Sequence, residues 1–502
     1  MPDAVTASPP LDDPTIELDE ESVFDKFHEE CGVFGIFPHQ DAAALAQLAL
    51  VVLQHRGQES AGIASIDGTG GMYHHRGMGL VEEALPQDAM KQLAKGTAAV
   101  GHVRYSTAGA SSLLNAQPLI FNFQGGNLAL AHNGNLTNAD ELKSRLELDG
   151  AIFQTTSDTE VVAHLIARAG RVDMVDSIRE AMTMLEGGFA FCILTDTRLF
   201  ALRDPHGLRP MVLGRIDDGW CVASESCALD TIGATFVRDV EPGELLDVSH
   251  DGVKSLRFTA PKKRALCTFE HIYFARPDSD IDGHNVHMVR KEFGRVLWRD
   301  HPAPVDLVIG VPDSSISAAM GYAEEAGIPY EIGLIKNRYI GRTFIAPDQE
   351  QRARKVRLKL SAVRSVVAGK RVAMIDDSLV RGTTSGRIVR LLRDAGALEV
   401  HVRIASPPVT NSCFYGIDTS TRDQLIAARA TVPEICELIG ADSLEFLEEP
   451  AMMQAFGVER GDKHGHCNAC FTGKYPTRVY SGMTNLLDTA APVPREVVSG
   501  AH

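Results

Sequence analysis

The 502-residue chain has no apolar run approaching the roughly 20 residues of a membrane-spanning helix, and no basic start followed by an apolar core of the kind a secretory signal needs. The chain therefore reads as soluble, with the cytoplasm as its expected compartment. Cationic charge is also scarce, since 49 Lys and Arg against 66 Asp and Glu leave a net charge of −17. That balance disfavours broad binding to nucleic acid or to anionic membranes, while leaving room for a local cationic pocket that takes a small anion. The Arg- and Lys-rich segment Gln351 to Arg364 is one local exception and reads as a solvated helix face. Cysteine is thin as well: nine in a chain this long give no sign of a secreted disulfide scaffold.

What is present, 44% hydrophobic and 23% charged residues, suffices to bury substantial cores, and the length suits two or three domains. Residues 1 to 30 are rich in Pro, Asp and Glu and nearly lack basic side chains, so a flexible leader is expected. At Cys31 the character changes abruptly to CGVFGIF, compact and apolar, which suits a strand. Taken alone, Cys31 is an ordinary buried thiol.

The most informative stretch is RVAMIDDSLVRGTTSGRI, Arg371 to Ile388. Val372 to Ile375 form a short apolar run suited to a parallel-sheet strand covered on both faces. Asp376 and Asp377 close it. Gly382, Thr383, Thr384, Ser385 and Gly386 then gather backbone amides and hydroxyls at a helix N-terminus, a favourable place for phosphate. Ligands of open α/β sheets bind at such carboxyl ends. The same residues also describe an acidic strand end with a polar connection. However, the loop is neither a Walker A, which needs Lys after its final Gly, nor a dinucleotide fingerprint. Two adjacent carboxylates facing a phosphate cradle repel an anion unless ribose hydroxyls or a divalent cation lie between.

This stretch resembles the phosphoribosyl diphosphate signature of type I phosphoribosyltransferases, and its form DDSLVRGTTS is similar to that of the amidophosphoribosyltransferase family. The resemblance implies an α/β domain with a parallel sheet. It implies that Asp376 and Asp377 hold ribose hydroxyls and one magnesium ion per subunit, with a further magnesium contact from Ser314 in PDSSIS. Ser378, Arg381, Gly382, Thr383 and Thr384 would bind the sugar phosphate. Lys336 and Arg338, in KNRYIGRTFIAP (336 to 347), would join them from a loop that closes over diphosphate. Apart from the resemblance, that segment reads equally as a surface hairpin.

Four further segments, LQHRGQES from Leu53, GHVRYST from Gly101, HNGNLTN from His132 and TSDTE from Thr156, resemble class II glutamine amidotransferases. This implies an α+β glutaminase built as a layered αββα sandwich, with Cys31 as the mature N-terminus and its own α-amino group as proton acceptor. Such an amine has a reference pKa near 8, which suits a base working around neutrality. The leader would then be a propeptide cut between Glu30 and Cys31. By the same resemblance the Asn133 side-chain amide and the Gly134 N–H face the oxyanion. Arg104 and Asp158 take the carboxylate and ammonium ends of glutamine, and Arg56 lines the site. Ser157 to Glu160 also match a capping box opening a helix from Val161 to Ala169.

Cys467-Asn-Ala-Cys470 leaves structural zinc, redox chemistry and chance open. The family pattern adds Cys267 in CTFEHIYFARPDS and Cys413 in PPVTNSCFYGIDTS, and implies that the four thiolates hold a 4Fe–4S cluster. The expected organisation is thus a propeptide (1–30), a glutaminase (31–260), a phosphoribosyltransferase domain with the iron–sulfur site (261–480) and a tail (481–502). The implied reaction converts glutamine, 5-phosphoribosyl diphosphate and water to 5-phosphoribosylamine, glutamate and diphosphate, the committed step toward purines. Purine nucleotides are implied as inhibitors, and a homo-oligomer without nucleic-acid or membrane partners is expected. Three competing readings make distinct demands. An aminosugar synthase would lack DDSLVRGTTS. A sugar-phosphate sensor without turnover would have no reason to keep Cys31, Asn133 and Asp158. A scaffold predicts no turnover at all.

Overall fold

Alternation with a period of two builds the first half of the chain. In the strand Gly32–Phe37, Val33 and Phe37 face one apolar layer while Phe34 and Ile36 face another. This strand is central in a seven-stranded antiparallel sheet ordered Thr235–Asp239, Val212–Ile216, Gly219–Ala223, Gly32–Phe37, Ala98–Arg104, Ser60–Ile66, Met72–Met78. A second antiparallel sheet has six strands, Gly252–Arg257, Glu244–Ser249, Leu199–Arg203, Gly187–Thr195, Gly126–Leu136 and Leu119–Phe123. Val33, Phe37, Ala129, Cys192 and Leu246 fill the space between them. Helices Ala42–Val52 and Ser226–Ile232 cover the outer face of the first sheet. Helices Ala139–Leu148, Thr159–Ala169 and Met174–Thr183 cover the second. The result is the αββα sandwich expected.

The structure, a computed structural model, describes residues 31–105, 111–337, 360–417, 422–458 and 465–480. The leader, the tail, Arg338 with the rest of its loop as far as Pro347, and residues 351–359 of the basic segment lie outside the described residues, whereas Lys336 is described.

The second half is a four-stranded sheet ordered Leu307–Gly310, Arg371–Asp376, Glu399–Ile404, Ser443–Phe446, parallel throughout. Both faces of its central strand are covered: Ala373 and Ile375 meet one core, Val372 and Met374 the other. Helices Val286–Asp300 and Ile316–Ala326 lie on the first face. These two pack at backbone distance, since a Cβ on Gly294 would sit 1.8 Å from the Ala318 carbonyl oxygen. Helices Thr383–Asp394 and Val432–Ile439 lie on the other face. Among the described residues no helix is long and apolar enough to cross a membrane.

One local expectation needs correction. The capping box does not form as expected. The helix opens at Thr159, and the Glu160 carboxylate accepts from Gln154 N (2.8 Å) and Thr155 N (2.7 Å). Ser157 Oγ accepts from Thr159 N at 3.3 Å. The preceding loop supplies Glu160 with donors, so it does not reach back to Ser157.

Candidate active sites and cysteine centre

Cys31 sits at the head of the central strand, buried, with Sγ donating to the Tyr105 carbonyl at 3.5 Å. Burial pushes its thiol up to about 11, against smaller lowering effects of the Tyr105 contact and of Arg104. Arg104, Glu59 and Asp158 all lie within electrostatic reach of it. Asn133 is buried on the neighbouring sheet's strand, its Nδ2 loosely tied to Ser224 Oγ at 3.4 Å and its Oδ1 without a hydrogen-bond partner among the described residues. Gly134 adopts φ +133°, and a Cβ there would fall 2.0 Å from the Gly188 carbonyl oxygen, so only glycine fits beside Asn133. Asp158 accepts from Leu136 N at 2.9 Å, which fixes it against the end of the same strand. Arg104 is ion-paired to Glu59 at 2.6 Å, a partner the sequence did not suggest.

Arg56 differs from expectation. The sequence suggested a pocket-lining side chain, but the guanidinium is fully buried and its Nε donates to the Cys31 carbonyl at 3.2 Å. Nη1 reaches Glu225 at 2.5 Å, and Nη2 reaches both oxygens of Glu270 at 2.8 and 2.9 Å. Burial alone would lower its pKa, but the two carboxylates outweigh burial and hold it above its ordinary value. The physical reason for the correction is charge: two buried acids from distant segments need a buried cation.

At the end of Arg371–Asp376, Ser314 joins Asp376, Asp377 and Ser378 of the side chains expected to bind sugar phosphate and its magnesium. Asp376, Asp377 and Ser378 are buried. Ser314 Oγ contacts Asp377 Oδ2, and Ser378 Oγ donates to Asp377 Oδ1 at 2.7 Å. Ser315, which the sequence reading passed over, donates to Asp376 Oδ1 at 2.9 Å and to Asp377 Oδ2 at 3.1 Å. The second serine of PDSSIS was the available signal. Gly382, at φ +83°, is the N-cap of the helix that opens with Thr383 and Thr384. Lys336 is ion-paired to Asp313 at 3.2 Å, near Ser314, and Arg381 donates to Gln424 at 2.9 Å. Magnesium takes one or two carboxylates and completes its shell with water and substrate oxygens, so this donor set fits it.

The four cysteines also converge. The short strand Leu266–Cys267 runs parallel to His466–Cys467, placing Cys267 opposite Cys467. Cys470 follows in the helical turn Ala469–Thr472, and its carbonyl accepts from Thr410 N and Asn411 N at 3.0 Å each, which brings in the Cys413 segment. Burial, and then the neighbouring cysteines, push Cys267 and Cys470 well up; burial pushes Cys467 to about 12. Cys413 adds to the upward push on the other three, and thiols grouped in this way suit a site whose charge is offset by bound metal. No group of three or more His, Cys, Asp or Glu among the described residues is drawn tightly enough for one ion. Four thiolates can hold either a 4Fe–4S cluster or zinc.

A sandwich headed by Cys31 and joined to a parallel sheet ending in Asp376 and Asp377 places the chain in a class: glutamine amidotransferases coupled to phosphoribosyl transfer. Comparison with known proteins bears this out. The family described as "Glutamine amidotransferase domain" matches residues 102–231. Amidophosphoribosyltransferase from Bacillus subtilis (strain 168) is 54% identical over 473 residues, 94% of this chain and 98% of that protein. The protein of the same name from Staphylococcus aureus (strain MRSA252) is 47% identical, over 91% of this chain and 93% of its own length. A solved structure of "the allosteric regulatory enzyme of purine biosynthesis" superposes with a TM-score of 0.87 at 54% identity, covering 90% of this chain and 97% of its own. A second, glutamine phosphoribosylpyrophosphate amidotransferase from B. subtilis complexed with ADP and GMP, gives 0.86, also at 54% identity, over 90% of this chain and 99% of its own. The chain belongs to the amidophosphoribosyltransferase family, transferases of purine biosynthesis. The sensor and scaffold readings are thereby set aside.

Proposed function

We propose that the family's reaction is divided in this chain between Cys31 and the strand end at Asp376 and Asp377. The overall conversion takes glutamine, 5-phosphoribosyl diphosphate and water to 5-phosphoribosylamine, glutamate and diphosphate, the first committed step of de novo purine synthesis. The observation that carries the division is the state of Cys31. A thiol pushed to about 11 is a poor nucleophile at neutral pH, and the carbonyl it touches cannot act as base. Autocatalytic removal of residues 1–30 as a propeptide would free the α-amino group of Cys31 to take that proton.

Thiolate attack on the glutamine amide then builds an oxyanion, which the Asn133 amide and the Gly134 N–H stabilise. Arg104 and Asp158 hold the two charged ends of glutamine, and Arg56 supports the site from behind. Ammonia passes within the protein to C1 of the ribose, because ammonium formed in water is mostly protonated and cannot attack. Asp376, Asp377, Ser378, Arg381, Gly382, Thr383, Thr384, Lys336 and Arg338 hold phosphoribosyl diphosphate. Magnesium bound at Ser314, Asp376 and Asp377 would offset the negative charge of the departing diphosphate. Cys267, Cys413, Cys467 and Cys470 would hold a 4Fe–4S cluster that ties three segments together. The proposed domains are the glutaminase from 31 to 260 and the transferase from 261 to 480, in a cytoplasmic homo-oligomer inhibited by purine nucleotides.

One anaerobic preparation tests this. Intact mass should lack residues 1–30, iron and sulfide should be stoichiometric with chain, and product should form from glutamine. Active enzyme retaining Met1 to Glu30 would overturn the role of Cys31, and stoichiometric zinc without iron would overturn the cluster.

A further inference from the structure

Glu270 lies in the stretch CTFEHIYFARPDS, beyond the antiparallel sandwich, yet it is fully buried against the glutaminase. Its two oxygens accept from Arg56 Nη2 at 2.8 and 2.9 Å, and its Oε1 lies 3.5 Å from Arg209 Nη1. Arg56 in turn holds the Cys31 carbonyl through Nε at 3.2 Å and Glu225 through Nη1 at 2.5 Å. Glu225 grips the far end of the same stretch, accepting from Arg276 N at 2.9 Å and from Ser279 Oγ at 2.7 Å. Arg209 reaches on to the Tyr415 carbonyl through Nε at 3.0 Å. One planar guanidinium therefore has its direction set by two carboxylates on opposite sides, while its third edge carries the main chain of the nucleophile. The Arg56, Glu225 and Glu270 side chains have no solvent exposure, so water does not screen the balance between the two acids.

We infer that Glu270 is a positioning residue for glutamine hydrolysis: by holding Arg56 from outside the glutaminase sandwich, it sets where the Cys31 main chain stands relative to Asn133 and Gly134. This rests on the assignment of Cys31 as nucleophile made above. Without the Glu270 charge, Arg56 is drawn toward Glu225 alone, and the carbonyl it carries shifts with it. A misplacement of about 1 Å at a reacting group costs on the order of a hundredfold in rate.

The test uses the full chain with its metal complement. In Glu270→Gln, kcat for glutamine hydrolysis should fall about a hundredfold, while the KM for glutamine, ammonia-dependent synthesis and iron content stay at the parent's level. Glu270→Asp, which keeps the charge on a shorter stem, should recover part of the rate. Parent-like glutamine turnover in Glu270→Gln overturns the inference. So does a parallel fall of both activities with loss of iron, which would mark a purely structural contact. Should Glu270→Gln fail to fold, Arg56→Lys serves: its ammonium can sit between the acids but cannot also carry the Cys31 carbonyl. The same selective loss is expected there, and parent-like turnover again overturns the inference. Cys31→Ala is assayed alongside; glutamine-dependent activity surviving in that variant would remove the underlying site assignment instead.

Discussion

At the end of Arg371–Asp376 the polar groups are chain neighbours or come from one adjoining loop, with Ser378 next to Asp377 and Ser314 and Ser315 from the turn after Leu307–Gly310. Around Cys31 they arrive from far away: Glu225 and Glu270 meet Arg56 across 169 and 214 residues. The first site is assembled by two neighbouring strands and would form wherever those strands pair. The second exists only when both halves are in place, and its buried charges make it intolerant of losing one partner.

The largest expected effect separates the two sites outright. Cys31→Ala should lower glutamine-dependent synthesis by at least about a thousandfold and leave synthesis from added ammonia intact. Equal loss of both activities in steady-state assays would erase the distinction. Next comes the remote charge network: Arg56→Leu leaves two buried acids short of a cation and should destabilise the glutaminase by about 3 kcal/mol. Denaturant unfolding followed by glutaminase activity measures it, and an unchanged midpoint would show that the network is not needed. Asp377→Asn should act on the local site, weakening kcat/KM for phosphoribosyl diphosphate by roughly 10- to 150-fold with either nitrogen source, as for a charge-assisted contact worth about 1.5–3 kcal/mol. An effect confined to glutamine-dependent turnover would contradict the separation.

The smallest effect is on stability and depends on pH. Burial alone would raise the Glu160 pKa, but the His164 ring 3.8 Å away and hydrogen bonds from Gln154 and Thr155 bring it down from 4.5 to about 2. A lowered folded-state pKa stabilises above the unfolded value and loses that contribution as pH falls through the folded one. Glu160→Gln should therefore cost about 1 kcal/mol at neutral pH, and the gap to the parent should close as pH falls from 4.5 to about 2. A gap that persists at the acid end would assign the effect to packing.

The same contrast explains what was legible beforehand. The apolar run Val372 to Ile375, the acids after it and the small-residue helix start at Gly382 are contiguous, so pattern and propensity suffice to read them. Cys31, Asn133 and Gly134 could be named by resemblance, and the compact apolar run that follows Cys31 was legible as a strand. Glu225, Glu270, Glu59 and Arg209 gave no signal, because each looks like an ordinary charged residue until a partner dozens or hundreds of positions away is brought against it. Arg56 was misjudged for that reason. The Ser157 to Glu160 capping box failed on a smaller scale: the motif was right, but the loop before it offered better donors.

Cys267 stands opposite Cys467, and Thr268 Oγ1 donates to the Cys467 carbonyl across 199 residues at 3.1 Å. During synthesis the first of these cysteines leaves the ribosome well before the last two, at about 5–20 residues per second. The pairing therefore waits for nearly the whole transferase to be made. A chain stopped before residue 466 keeps the contact of Cys267 N with the Leu208 carbonyl, but the short strand at Leu266–Cys267 has no parallel partner. Completion of translation is thus written into the architecture as a condition for closing this pair of strands.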